Sequence, residues 1–200
     1  MIGLRPYRPQ RGRSGIVDLA RLAREFEGAY REACVDCDHG RPTPEKRLQS
    51  HLISAAYRSD RRLDRLRHIH EEAPLFITDE LSLPTENGRI VCDILALHGA
   101  VPAVIELKPG RQLTRLVAQV SGYAALIDEH TDLFGELYSV ILGRAVELES
   151  PCERWIVWPH PSGHEADPRE HELAALGVRV VGYTEVGEGF EFKVGAPIRV

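Results

Sequence analysis

The sequence predicts an α/β fold in which helices flank a mixed central sheet that contains an antiparallel meander. Apolar residues recur at helical spacing from about residue 44 onward and again over 111–128. Between these stretches, past Pro74, the pattern shifts to strand-like runs, and beyond residue 150 strands alternate with one helix.

In order along the chain, Leu19, Leu22, Ala23, Phe26, Ala29, Tyr30 and Ala33 mark an amphipathic helix over 16–33. A loop with Gly40 and Pro42 follows, and Thr43-Pro44 supplies an N-cap and a first-turn proline for the next helix. That helix turns Leu48, Leu52 and Ile53 inward and is expected to run on, straight or broken, through Leu63, Leu66 and Ile69. Three strands fit 75–83, 89–98 and 102–108, with Asn87-Gly88 turning between the first two and 98–101 between the second and third. Leu113, Leu116, Val117, Val120, Ala124 and Ile127 then return to helical spacing, and a strand is expected at 137–142. The remainder reads as a strand at 154–158, a helix with Asp167 as cap, Pro168 in its first turn and Gly177 past its end, and strands at 178–183 and 190–194 joined through Gly187–Gly189. The organisation expected is an N-terminal arm and helix over 1–42 and one main domain over 43–200.

Charged residues make up 28% of the chain and no apolar run is long enough to span a bilayer, so no membrane partner is expected. The Arg-, Pro- and Gly-rich start lacks the apolar core of a secretory signal, which points to a cytoplasmic protein. A net charge of −5 argues against coating nucleic acid through bulk charge, although Arg58, Arg61, Arg62, Arg65 and Arg67 gather in one segment. Only Lys46, Lys108 and Lys193 are lysines among 25 basic residues, which draws attention to Lys108.

Asp93 interrupts one apolar strand and Glu106 and Lys108 interrupt the next. Side chains alternate along a strand, so Glu106 and Lys108 share a face while Ile105 and Leu107 take the other. If the turn sets Leu97 opposite Pro102, Asp93 falls opposite Glu106, and two carboxylates meet with Cβ atoms about 5 Å apart. Such a pair is repulsive unless compensated, and one or two carboxylates with water and phosphate are the usual binding set of Mg²⁺. The competing reading is a strand salt bridge between Glu106 and Lys108, with Asp93 paired to an arginine. On the following helix Arg115, Gln119 and Tyr123 are four apart and line one polar face, while Glu45 and Gln49 share a face of the upstream helix.

A helix with Glu45, a strand, Asp93 in a second strand, Glu106-Leu107-Lys108 in a third and a helix carrying Gln119-Val120-Ser121-Gly122-Tyr123 together resemble the PD-(D/E)XK nuclease superfamily over residues 43–142. The Gln119/Tyr123 element is similar to the QxxxY helix of RecB-type exonucleases. The resemblance implies a restriction-endonuclease-like core and a Mg²⁺- or Mn²⁺-dependent nuclease, a hydrolase acting on nucleic acid, DNA ahead of RNA. It implies Asp93, Glu106 and the Leu107 carbonyl as metal ligands, with Glu45 as a direct or supporting one. Lys108 would orient the attacking water or stabilise charge on the phosphate, and Gln119 and Tyr123 would buttress the lysine or touch the substrate backbone. Cys92 stands where the family pattern has proline. A homodimer is left open, and the alternative is a non-catalytic module that holds nucleic acid or a protein through its basic segment.

Other signals rank lower. Cys34, Cys37 and His39 make only half a zinc site, and Cys92 and Cys152 stand singly. His160, His164 and His171 flank a Pro-rich turn and a helix start and read as loop histidines. Trp155 and Trp158 are expected on opposite faces of their strand, one in the core and one partly exposed.

Overall fold

The computed structural model describes residues 43–68, 70–85, 88–108, 113–160, 168–187 and 189–194. The expected arm, the 16–33 helix, the Cys34/Cys37/His39 group and the Asp167 cap lie outside them. From Thr43, whose hydroxyl accepts the Lys46 N–H at 3.3 Å as N-cap, the chain forms α1 (Pro44–Arg58) and a 3-10 turn (Asp64–Leu66). Then come β1 (Leu75–Thr85), β2 (Gly88–His98), β3 (Val101–Leu107), α2 (Leu113–Glu129), α3 (Thr131–Leu142), β4 (Glu153–Pro159), α4 (Pro168–Ala175), β5 (Val178–Val186) and β6 (Gly189–Val194).

The strands build one six-stranded sheet in sequence order. β1, β2 and β3 are the expected antiparallel meander. The helical connections make β4 parallel to β3 and β5 parallel to β4, and β6 closes the sheet antiparallel to β5. Each face has its own apolar cluster. Leu48, Leu52, Ile53 and Ala56 of α1 pack on Ile94, Ile105, Leu107, Trp155 and Val157. On the other face, Leu116, Val120, Tyr123 and Ile127 of α2, Phe134, Leu137 and Tyr138 of α3, and Leu173 of α4 cover Leu95, Val104, Ile156 and Trp158. The result is a helix–sheet–helix sandwich, in which each fully buried leucine or isoleucine contributes about 1.5–3 kcal/mol of transfer free energy. No helix among the described residues is long and apolar enough to cross a membrane.

Three expectations change. α1 does not run on past Arg58. Asp60 and Arg61 take left-handed φ values of 50° and 66° and reverse the chain, so Leu63 and Leu66 enter the α1 core from the 3-10 turn instead. The segment expected as a strand at 137–142 is the end of α3. Its β-prone run of Leu137, Tyr138, Val140 and Ile141 hides a helical stripe, Phe134–Leu137–Tyr138–Ile141, and Gly143 at φ 66° ends the helix. Finally, Trp155 and Trp158 do face opposite sides, but both are fully buried, because this central strand is covered on both faces.

Candidate active site

Asp93, Glu106 and Lys108 come together where strand regularity breaks. Along β2, Leu95 and Leu97 lie on the α2 side and Ile94 and Ala96 on the α1 side, yet Cys92 also lies on the α2 side. Residues two apart on a strand normally share a face, so β2 turns over at Asp93. β1 turns over beside it at Glu80, whose φ is 49°, between the pairs Asp79↔Ile94 and Leu81↔Cys92. The β2–β3 register runs from His98↔Val101 to Ile94↔Ile105. One step further the Asp93 side chain takes over from the backbone, and its Oδ2 accepts the Leu107 N–H at 2.7 Å.

Lys108 follows the last residue of β3 and is anchored by its N–H donating to the Val157 carbonyl at 2.9 Å. Its ammonium lies 3.4 Å from Asp93 Oδ2, 3.4 Å from Glu106 Oε2 and 3.7 Å from Glu45 Oε1 at the start of α1. Burial opposes the lysine's charge, but Asp93, Glu106 and Glu45 outweigh it and hold its pKa above the ordinary value.

Among the described residues, one ammonium faces these three acids and does not neutralise them. Glu106 is fully buried, and burial first, then the Asp93 charge, push its pKa up to about 8 against the opposing pull of Lys108. Its Oε2 accepts from Gln119 Nε2 of α2 at 2.9 Å, while its Oε1 is buried without a hydrogen-bond partner. Native proteins rarely leave such an atom unsatisfied, and a proton or a cation is what it lacks.

The other sequence-predicted residues divide. Gln119 is present and bonds Glu106 and the Val91 carbonyl, so it steadies the acid rather than the lysine. Tyr123 is fully buried and donates its hydroxyl to the Leu81 carbonyl at 3.2 Å. It ties α2 to β1 inside the core, whereas the resemblance implies a place beside the lysine or the substrate backbone. The side chain of Arg115 lies outside the described residues. The Leu107 N–H is committed to Asp93, and the Leu107 side chain is buried on the α1 side. Cys92 is a buried free thiol donating to the Ile94 carbonyl, its pKa raised by burial and then by Glu106 and Asp93.

Gln49, which shares a helix face with Glu45, has a larger place here than the sequence shows. It is 5% exposed; its Nε2 donates to the Asp93 carbonyl at 3.2 Å and to Asp79 Oδ2 at 3.4 Å, and its Oε1 accepts from Lys46 Nζ at 3.0 Å. Lys46 also pairs with Glu80. This chain of contacts fixes the turn-over at Glu80 and Asp93. The signal that could have found it was the adjacent Asp79-Glu80 pair interrupting an apolar strand.

Among the described residues no three His, Cys, Asp or Glu side chains gather closely enough to form a complete metal cage. Two carboxylates side by side, one with an unpartnered buried oxygen, nevertheless fit a hard divalent ion that completes its shell with water and phosphate. Asp93 and Glu106 would hold it, with Glu45 at the margin. Comparison with protein-family models, with curated proteins and with solved structures gives no match for this chain. The fold and this site are therefore what define it: an α/β protein whose mixed six-stranded sheet carries a cluster of three acids around one lysine.

Proposed function

We propose that this protein is a divalent-metal-dependent nuclease of the PD-(D/E)XK type, with a restriction-endonuclease-like core, that hydrolyses phosphodiester bonds, DNA ahead of RNA. The observation that carries the reading is the meeting of Asp93 and Glu106 at the Lys108 ammonium, with one buried Glu106 oxygen left unpartnered. A salt bridge made for stability alone would close its charges, and among the described residues this one does not. The order of Glu45 on α1, Asp93 on β2, Glu106 and Lys108 at the end of β3 and Gln119 on α2 supports the same assignment.

Asp93 and Glu106 would hold Mg²⁺ or Mn²⁺, which would supply Lewis acidity for a phosphoryl oxygen and lower the pKa of water. The chain's own groups do the rest. Burial and the Asp93 charge push the Glu106 pKa up, so holding the ion would release a proton from Glu106 to solvent. The Leu107 N–H and Gln49 hold Asp93 in place from its two ends, side chain and carbonyl. Lys108, charged and only partly exposed, lies where negative charge accumulates on the phosphate and steadies it.

The test is incubation of the purified protein with supercoiled and linear DNA in Mg²⁺ or Mn²⁺. Cleavage is expected, and Lys108→Ala and Asp93→Ala are expected to lower it by about 10²-fold or more. Cleavage undiminished in both variants would place the chemistry elsewhere.

A further inference from the structure

The end of α1 distant from the acids carries the opposite charge. Arg58 closes the helix, Arg61 is part of the reversal and Arg62 follows it, and Arg65 and Arg67 belong to the 3-10 turn and its exit. Arg58, Arg62, Arg65 and Arg67 are exposed. Arg62 pairs with Asp64, and Arg61 lies over the Tyr57 ring and donates to the Ile77 carbonyl. Among the described residues no carboxylate pairs with Arg58, Arg65 or Arg67. Arg58 and Arg65 come from different elements brought together by packing, since Leu63 and Leu66 at the 3-10 turn share one core cluster with Leu52, Ile53 and Ala56 of α1 and the Arg61 N–H donates to the Ala56 carbonyl; burial and then both arginines lower the pKa of His51. Arg58 alone is explained by the negative end of the helix dipole; a second cation brought to the same place is not.

The segment that presents them is fixed rather than loose. Leu63 and Leu66 are buried, the Leu63 N–H donates to the Pro74 carbonyl, and the Phe76 N–H donates to the Arg61 carbonyl. Glu71 is forked to Arg179, itself 8% exposed and 4.5 Å over the Trp155 ring. Two consecutive non-glycine residues, Asp60 and Arg61, are held in the left-handed region to make the reversal. A strained reversal, an anchored turn and exposed arginines with no carboxylate partner among the described residues thus follow one another in a chain whose net charge is −5.

We propose that Arg58, Arg65 and Arg67 form a docking surface for the sugar-phosphate backbone of a nucleic acid, separate from the acidic site. Glu45, beside Lys108, and Arg58 stand thirteen residues apart on one helix, which is about 20 Å. A backbone engaged at both ends therefore extends about six nucleotide steps from the scissile bond. Phosphates repeat at regular spacing along such a strand, and guanidinium groups on a rigid platform match them as forks. This deepens the nuclease reading by assigning where its substrate is gripped.

The measurement is anisotropy of a labelled 24-base-pair duplex titrated with protein in chelator, across a salt series, beside a Mg²⁺-dependent cleavage assay. The triple variant Arg58→Ser/Arg65→Ser/Arg67→Ser is compared with wild type, and melting curves confirm that it folds. The expected result is at least tenfold weaker binding, with the slope of log affinity against log salt shallower by about 2–3. An unchanged slope and affinity would overturn the surface, even if cleavage still depends on Lys108. Binding lost in the triple variant while wild type cuts nothing would sustain the surface and remove the nuclease. A wild type that ignores duplex and single strand but binds polyglutamate through these arginines would overturn the assignment in favour of an acidic protein partner.

Discussion

Two groups of charged side chains lie at opposite ends of β3 and β4, and they are built in opposite ways. At the beginning of β4, Glu153 is engaged through both oxygens by His98 Nδ1 and through Oε2 by Trp155 Nε1, and Glu71 is engaged through both oxygens by Arg179. Burial raises the Glu153 pKa, but the bonds from His98 and Trp155 outweigh it and hold it below the ordinary value. At the end of β3, Glu106 retains a buried oxygen with no partner and its pKa is pushed up to about 8. Both clusters place acids in poorly solvated positions, and only one satisfies them. Closed charge of the first kind holds a fold together; open charge of the second kind is the feature on which the proposed cation site rests.

Substitutions should separate the two. Glu106→Gln and Asp93→Asn are expected to lower metal-dependent cleavage by about 10³-fold, which is about 4 kcal/mol of transition-state stabilisation, whereas Glu153→Gln should leave the rate within about threefold. Rate measurements on one plasmid substrate check this, and equal losses at both ends would dissolve the contrast. For stability the order reverses. Arg179→Met leaves Glu71 unpaired and should cost about 3 kcal/mol in denaturant unfolding without altering the rate of cleavage at saturating metal.

In chelator the open cluster should be a liability. Because the folded pKa of Glu106 is raised, the native state holds a proton between about pH 4.5 and 8 that the unfolded chain releases. Wild-type stability is therefore fully present below the unfolded pKa and falls as pH rises through that window. Glu106→Gln should remove this slope and stabilise the protein at pH 8.5 by about 2 kcal/mol, read from melts across pH. The smallest effect concerns Lys108, whose ammonium, 3.4 Å from both acids, competes with an incoming ion. Lys108→Met should bind Mn²⁺ about tenfold more tightly by calorimetry while failing to cleave, and unchanged affinity would show that the lysine does not compete.

The sequence made the meander, the helices on either side and the proximity of Asp93, Glu106 and Lys108 legible, because period-2 and period-3.6 patterns and a short turn act locally. What it concealed depends on partners far along the chain. The strand expected at 137–142 is a helix because Phe134 and Ile141 complete a stripe that only the sheet opposite selects. Tyr123 looked like part of a polar face, yet its hydroxyl spends itself on the Leu81 carbonyl inside the core. The turn-over at Glu80 and Asp93 departs from strict strand alternation, and its one mark in the sequence is the Asp79-Glu80 pair, which does not by itself reveal a left-handed residue that is not glycine or the contacts of Gln49.

The most direct measurement is diffraction from crystals soaked in Mn²⁺, using the metal's anomalous signal. A peak about 2.0–2.3 Å from oxygens of both Asp93 and Glu106, with the Lys108 ammonium moved aside, is the expected result. No peak at that position, with Glu106 still buried and unpartnered at saturating Mn²⁺, would contradict it.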